Sequence, residues 1–440
     1  MKPKNSFVFW LPHAIAAVLV VVLVFVYGSR ISKISDNDST SRVNLSVDAK
    51  KTIVFSFGGI DFNDNLKKQI SLFMEKNTDI EVKVLQLPNS TDYQRNSYVS
   101  AFKANDASID VMSTDIIWTA EFASNGWVLP LDRYFTEKMQ GQFIKSAIDG
   151  CRYEGKVYGV PKRSDAPLLY YRKDIIPKAP ETYDEMIDMV KRYQSASGIK
   201  YGYVFQGNTY EGMVCNVLEF IWAYGGDVLS DGKVVINSSE AQAGLQKLVD
   251  IVQDGTSSPD VLSFIEDDTR LAFQDGNALF MRNWPYAYRQ LNADASPVKG
   301  NVGICRLPQG VKGAEKSSGT LGGWNYMINR NSRYPDEAWR LIEWLTSSDM
   351  QVIDTQLGGN PPTRSDVYER PELKGKDPLL SQLQIILEHA RLRPVSPYYP
   401  TVSETLQLNF SAALNKNLDV KTAVENIERD LNSLIDKETP

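Results

Sequence analysis

The chain has 440 residues, 42% hydrophobic and 23% charged, which is more apolar material than one core needs and implies two lobes. A net charge of −6 without a long basic run excludes a nucleic-acid-binding face. Three scattered cysteines (Cys151, Cys215, Cys305) and two histidines (His13, His389) leave no disulfide framework, no CxxC zinc spacing and no HExxH, so buried free thiols and no metal or cofactor are expected.

In chain order, Lys2 and Lys4 precede an uncharged stretch from Phe7 to Tyr27, about the length that crosses a bilayer as a helix. Its centre, Ala14 to Val26, is almost purely aliphatic, with Pro12 and His13 near one end. An uncleaved anchor over residues 1–30 is expected, and a cleaved secretory signal is the competing reading. No Cys follows the run, so a lipid anchor is excluded. Both readings place the remainder on the outer face of the cytoplasmic membrane, although Arg30 and Lys33 weaken the charge signal. Residues 31–51 are rich in Ser, Asp and Asn and read as a flexible linker.

Ile53 to Phe57 reads as a strand ended by Gly58-Gly59, followed by a helix with Leu66, Ile70, Phe73 and Met74 on one face and a second strand from Ile80 to Leu87. Strand, helix and strand in that order form a βαβ unit and argue for a parallel sheet. A third strand, Ile109 to Met112, ends at Thr114-Asp115. Thr182 and Glu185 make a capping box, Pro335 opens a helix with Ala338, Leu341, Ile342 and Leu345 inward, and Val420 to Ile435 is a terminal amphipathic helix. In open α/β sheets ligands lie beyond the carboxyl ends of strands, which makes the residues just after Phe57 and Met112 site candidates.

Sugar recognition requires directional polar groups for hydroxyls and flat aromatics for ring faces. Five loop segments supply these two kinds of residue between them. They are Thr114 to Trp118, where Asp115 is either a hydroxyl acceptor or a helix N-cap, Val160 to Pro167 with Arg163 and Asp165, Arg282 to Tyr286 around Trp284, Leu321 to Asn325 with Gly323 and Trp324, and the Pro-punctuated Arg391 to Pro400 with Arg393 and Tyr399.

At these residues the chain resembles the family 1 extracellular solute-binding proteins, and within them the trehalose/maltose-binding branch. The resemblance rests on Asp115 to Phe122 with Gly126 to Asp132, Asp165 to Asp174, Tyr203 to Gly207 with Tyr210-Glu211-Gly212, Phe273 to Tyr286, Gly322-Gly323-Trp324 and Arg393 to Pro400, in family order across nearly the whole exported part. It implies an α/β, two-lobed periplasmic-binding-protein fold of type II-like topology, each lobe a mostly parallel sheet flanked by helices, with the ligand cleft between lobes. The solute-binding domain would span 52–436, lobe 1 about 52–161 and 318–365, lobe 2 about 162–317 and 366–436.

The resemblance also implies the substrate-binding component of an ABC importer, monomeric, without catalysis, capturing an α-linked disaccharide or glucoside (trehalose-, maltose- or sucrose-like) and delivering it to permease subunits. Arg95, Asp115, Asp165 and Arg393 would bond hydroxyls, Trp284, Trp324 and Tyr399 would flank the rings, and the Gly323 backbone would add a bond. Two departures from the branch pattern touch the same region. Asp61-Phe62-Asn63-Asp64 stands, one residue shorter, where a Glu is expected, and Arg163 stands where a Tyr is expected, so Asn63, Asp64 and Arg163 are further candidates. The alternatives are a membrane-tethered sugar sensor and a glycosidase built on Asp115 and Asp165.

Overall fold

The computed structural model describes residues 50–61, 63–230, 233–311, 319–375 and 378–438. The expected anchor (1–30) and all but the last two residues of the expected linker lie outside the described residues. Among the described residues no helix is long and apolar enough to cross a membrane.

Among the described residues nine strands build the two large sheets: β1 (Lys51–Gly58), β2 (Ile80–Leu87), β3 (Val111–Asp115), β4 (Val160–Asp165), β5 (Leu168–Arg172), β6 (Tyr201–Val204), β7 (Ala278–Asn283), β8 (Val302–Cys305) and β9 (Gly322–Ile328). The first sheet has the order β2-β1-β3-β9-β4 and the second β8-β5-β7-β6. The β1–helix–β2 reading holds, since β1 pairs in parallel with both β2 and β3. The intervening helix, Asp64–Lys76, starts where the Asn63 side chain accepts the Leu66 N–H at 3.0 Å, and it buries Leu66, Ile70 and Phe73. Likewise Thr182 caps the Tyr183–Ser197 helix by accepting from the Glu185 N–H at 3.1 Å.

The expectation of mostly parallel sheets is corrected. β9 runs antiparallel to both of its neighbours, β3 and β4. In the second sheet only β7 and β6 are parallel, with β5 antiparallel to β7 and β8. The cause is connectivity: β9 arrives from the second lobe and enters the first sheet where β3 and β4 stop, so Trp324 lies opposite Asp115 and Gly322 opposite Asp165. A strand buried on both faces carries the same apolar run in either direction, so its pattern does not reveal this.

Each sheet has its own core. Ile53, Phe55, Phe57, Tyr326, Ile328, Leu341 and Ile342 fill one. The other holds Leu168, Tyr170, Val204, Phe280 and Met281, together with Val402, Leu406, Val424 and Ile427 from the last two helices. The chain stays in the first sheet through Asp165, beyond the boundary expected at 161, and crosses to the second sheet at Ala166-Pro167. Pro167 keeps that crossing extended. Cys151 and Cys215 are buried free thiols and Cys305 is partly exposed.

Candidate functional site

Strand ends bring the polar residues together. Asp61 follows β1, Asp115 ends β3 and Asp165 ends β4, while β9 begins between them with Gly322-Gly323-Trp324. From the second sheet Trp284 follows β7, and the Glu211–Ala223 and Glu266–Gln274 helices point their first residues the same way. These groups line one cleft of about 450 Å³, within the range of small-molecule sites.

The two tryptophans are held differently. Below Trp284 lies the Arg282 guanidinium, 4.0 Å from the ring centroid, and its indole N–H donates to Glu266 Oε1 at 3.3 Å. A β-carbon on Gly322 would stand 3.2 Å from the Trp284 ring, so this glycine lets the indole lie against the strand. Trp324 meets Trp118 edge-on at 5.8 Å, and the Arg163 guanidinium stands 5.4 Å from its ring. Gly323 has φ +154°, and a β-carbon there would come within 2.7 Å of the Arg163 carbonyl. Both indoles are only partly buried, each leaving surface toward the cleft.

Two arginine clusters organise the polar walls. Arg393, buried, donates from Nη1 to Glu211 Oε1 at 2.7 Å and from Nη2 to Asp115 Oδ1 at 3.2 Å, tying the first lobe to the second. Its Nε–H has no acceptor among the described residues. Arg163 donates from Nη1 to Asp61 Oδ1 at 2.7 Å and from Nε to Asp165 Oδ2 at 3.1 Å, and Lys162 Nζ reaches Asp61 Oδ2 at 2.6 Å. Burial pushes the Asp61 carboxyl up, but Arg163 and Lys162 outweigh it and hold the group down at about 2. Burial raises Asp115 and Asp165 above the usual carboxylate range, with Arg393 and Arg163 pulling each back.

Of the residues expected at the site, Asp115, Asp165, Trp284, Gly323, Trp324, Arg393, Asn63 and Arg163 line the cleft. Asp115 is also the expected N-cap, accepting the Ile117 N–H at 3.2 Å, so one carboxylate does both. Three do not line it. Arg95 is turned onto Glu121 (Nε to Oε2, 2.7 Å), because that carboxylate sits on the neighbouring Thr119–Ser124 helix. Tyr399 is buried behind the wall, its hydroxyl donating to Glu211 Oε1 at 2.6 Å. Asp64 points to solvent and pairs with Lys67 at 3.2 Å.

Glu211, Glu266, Tyr210 and Asp92 line the cleft without having been singled out. Glu211 stood in the Tyr210-Glu211-Gly212 motif, and an acidic residue opening a helix reads as a dipole or cap group unless its tertiary neighbours are known.

Asp92, on the Thr91–Lys103 helix, has its carboxyl pushed up to about 6, first by burial and then by the charge of Glu211. The neighbouring Gln407 amide and Arg95 oppose the shift and Asp115 adds to it. The folded state therefore holds this proton more tightly than the unfolded chain. Its contribution to stability is greatest below the ordinary carboxylate range and is lost as pH rises toward about 6. We expect the melting temperature to fall between pH 4.5 and pH 7, and Asp92→Asn to shallow that fall by an amount on the order of 2 kcal/mol. Calorimetric melting across this range checks it, and an unchanged slope in the variant would assign the fall to other groups.

A family model described as bacterial extracellular solute-binding protein matches residues 59–352. A probable ABC transporter-binding protein of Deinococcus radiodurans is 31% identical over 375 residues, covering 82% of this chain and 87% of that protein. Among solved structures, maltose-bound MalE3 of T. maritima matches with a TM-score of 0.83 at 39% identity, over 87% of this chain and 99% of that one. An ABC transporter solute-binding protein of Thermotoga lettingae, bound with alpha-D-tagatose, matches with a TM-score of 0.79 at 26% identity, over 88% of this chain and 100% of that one.

Proposed function

The chain belongs to the bacterial extracellular solute-binding proteins, and from that premise we propose that it captures an α-linked disaccharide or a related glucoside outside the cell for an ABC importer. The observation that carries this reading is the meeting of Trp284 and Trp324, from opposite lobes, in one cleft walled by Asp115, Asp165 and Arg393. Two flat apolar faces suit the faces of two linked pyranose rings, and the charged groups suit their hydroxyls.

Capture follows from the geometry of the bridge. Asp115 moves with the first sheet, while Glu211 belongs to the second lobe, and Arg393 touches both. A sugar contacting Trp324 on one side and Trp284 on the other interacts with both lobes only when they are closed, so binding favours the closed form that docks on the permease. The Thermotoga relatives carry maltose in one case and tagatose in the other, so the choice of an α-linked disaccharide rests on the paired tryptophans.

Calorimetry of the purified protein against trehalose, maltose, sucrose and further glucosides tests the reading. At least one should bind at micromolar strength, about −8 kcal/mol, and be recovered chemically unchanged. Absence of heat across the panel removes the sugar, and release of free glucose that Asp115→Asn abolishes replaces capture with hydrolysis.

A further inference from the structure

The walls of the cleft carry an uneven balance of charge. Among the described residues, Arg163 and Arg393 are its cationic side chains, and each is shared between two carboxylates: Asp61 with Asp165, and Asp115 with Glu211. Lys162, just behind the wall, is engaged by Asp61 at 2.6 Å. No cation facing the ligand space therefore retains uncompensated charge. Carboxylates do remain. Glu266 receives the Tyr210 hydroxyl at 2.7 Å and the Trp284 indole N–H at 3.3 Å, both neutral donors. Asp92 lines the same cleft beside the neutral amide of Gln407, and its helix neighbour Arg95 is held by Glu121.

We propose, resting on the sugar-capture reading, that the cleft sorts saccharides by charge, refusing uronates and phosphorylated sugars, admitting neutral ones and holding a protonated amino sugar best, with Asp92 as the partner of the amine. An anion entering this space would be desolvated beside carboxylates with no free cation to meet it. Placed beside Asp92, an ammonium group offsets the repulsion that this carboxylate suffers from Glu211 and Asp115. The arginines cannot be recruited instead, because freeing Arg393 strands the buried Asp115 from its cation and takes one from Glu211, and freeing Arg163 strands the buried Asp165. Among the groups facing Asp92, the charged ones are Glu211, Asp115 and Arg95, so ionisation of Asp92 itself is the event that makes the amine contact.

The test titrates the full chain by calorimetry with maltose and trehalose, their uronate and 6-phosphate analogues, and their 2-amino and 6-amino analogues. The uronates are close in size to the parents and separate charge from bulk. We expect the anionic analogues to bind at least about 100-fold more weakly than the parents and one amine position to bind about tenfold more tightly at pH 7.5. That advantage should vanish at pH 5, where Asp92 holds its proton, and the amine-to-parent ratio should fall to unity in Asp92→Asn. The pH comparison needs no variant and stands even if Asp92→Asn folds poorly. Anionic analogues within threefold of their parents, amines no tighter than the parents, or an advantage that persists at pH 5 or in Asp92→Asn would overturn the inference while leaving sugar capture intact. Silence of every sugar removes the capture reading, and this inference falls with it.

Discussion

Replacing Arg282 with methionine is expected to destabilise the protein by about 3–5 kcal/mol. Arg282 on β7 is completely buried, donates from Nε to Glu219 Oε2 at 3.0 Å and from Nη1 to Gln206 Oε1 at 3.1 Å, and bonds Glu219 Oε1 through Nη2. Glu219 is equally enclosed, within a helix that is buried along its whole length. Removing the guanidinium leaves an uncompensated carboxylate in the second core, which is why the single change costs far more than its packing. The double variant Arg282→Met/Glu219→Leu should therefore recover most of the loss, since apolar replacements of a buried pair are often neutral. Denaturant unfolding of both variants decides it. A double variant no more stable than the single would assign the cost to lost packing. Sugar affinity should fall as well, because the same guanidinium lies beneath Trp284 and holds its ring at the cleft wall.

Trp324→Ala is expected to cost binding at least about 2 kcal/mol, roughly thirtyfold, with little loss of stability. The indole is only partly buried and its ring packing is an edge contact with Trp118 and the approach of Arg163, so truncation opens onto the cleft and leaves no closed cavity. Trp339→Ala supplies the contrast. That ring stacks on Tyr134 at 5.5 Å inside the first core, and its loss should cost ~3–5 kcal/mol of stability with sugar affinity kept. Trp344, on the same helix, is partly exposed and lies under Lys76, which makes it a poorer control. Melting curves and sugar titrations on both variants check the pair. Should Trp324→Ala melt several degrees lower and still bind, its ring belongs to the first lobe's core.

What was legible in the sequence was local. Periodic apolar residues located the Asp64–Lys76 and Pro335–Leu345 helices, Thr182 and Glu185 marked a helix start, and Gly322-Gly323 marked a place where the backbone lies tightly against Trp284 and β4. What was hidden depended on partners distant in sequence. Nothing near Arg95 announces that Glu121 will take its guanidinium, and nothing near Tyr399 announces that Glu211 will bind its hydroxyl and thereby draw it behind the wall. Asp92 escaped notice for the same reason. A single Asp in the first turn of a helix reads as a dipole partner, and only the approach of Glu211 and Gln407 makes it a cleft group.

The position of β9 has a consequence for how this protein is made. β9 is an inner strand of the first sheet, and Thr114 on β3 bonds Asn325 across 211 residues of chain. The first core waits for β9 and the Pro335–Leu345 helix, and the second is closed by the Tyr399–Leu414 and Val420–Glu438 helices, so the second cannot be completed while the ribosome still holds the C-terminal part of the chain. Contacts this distant in sequence form slowly. A polypeptide whose first core waits for residues up to Leu345 and whose second waits for its last helices stays incompletely folded through most of its synthesis, which suits a member of an extracellular family.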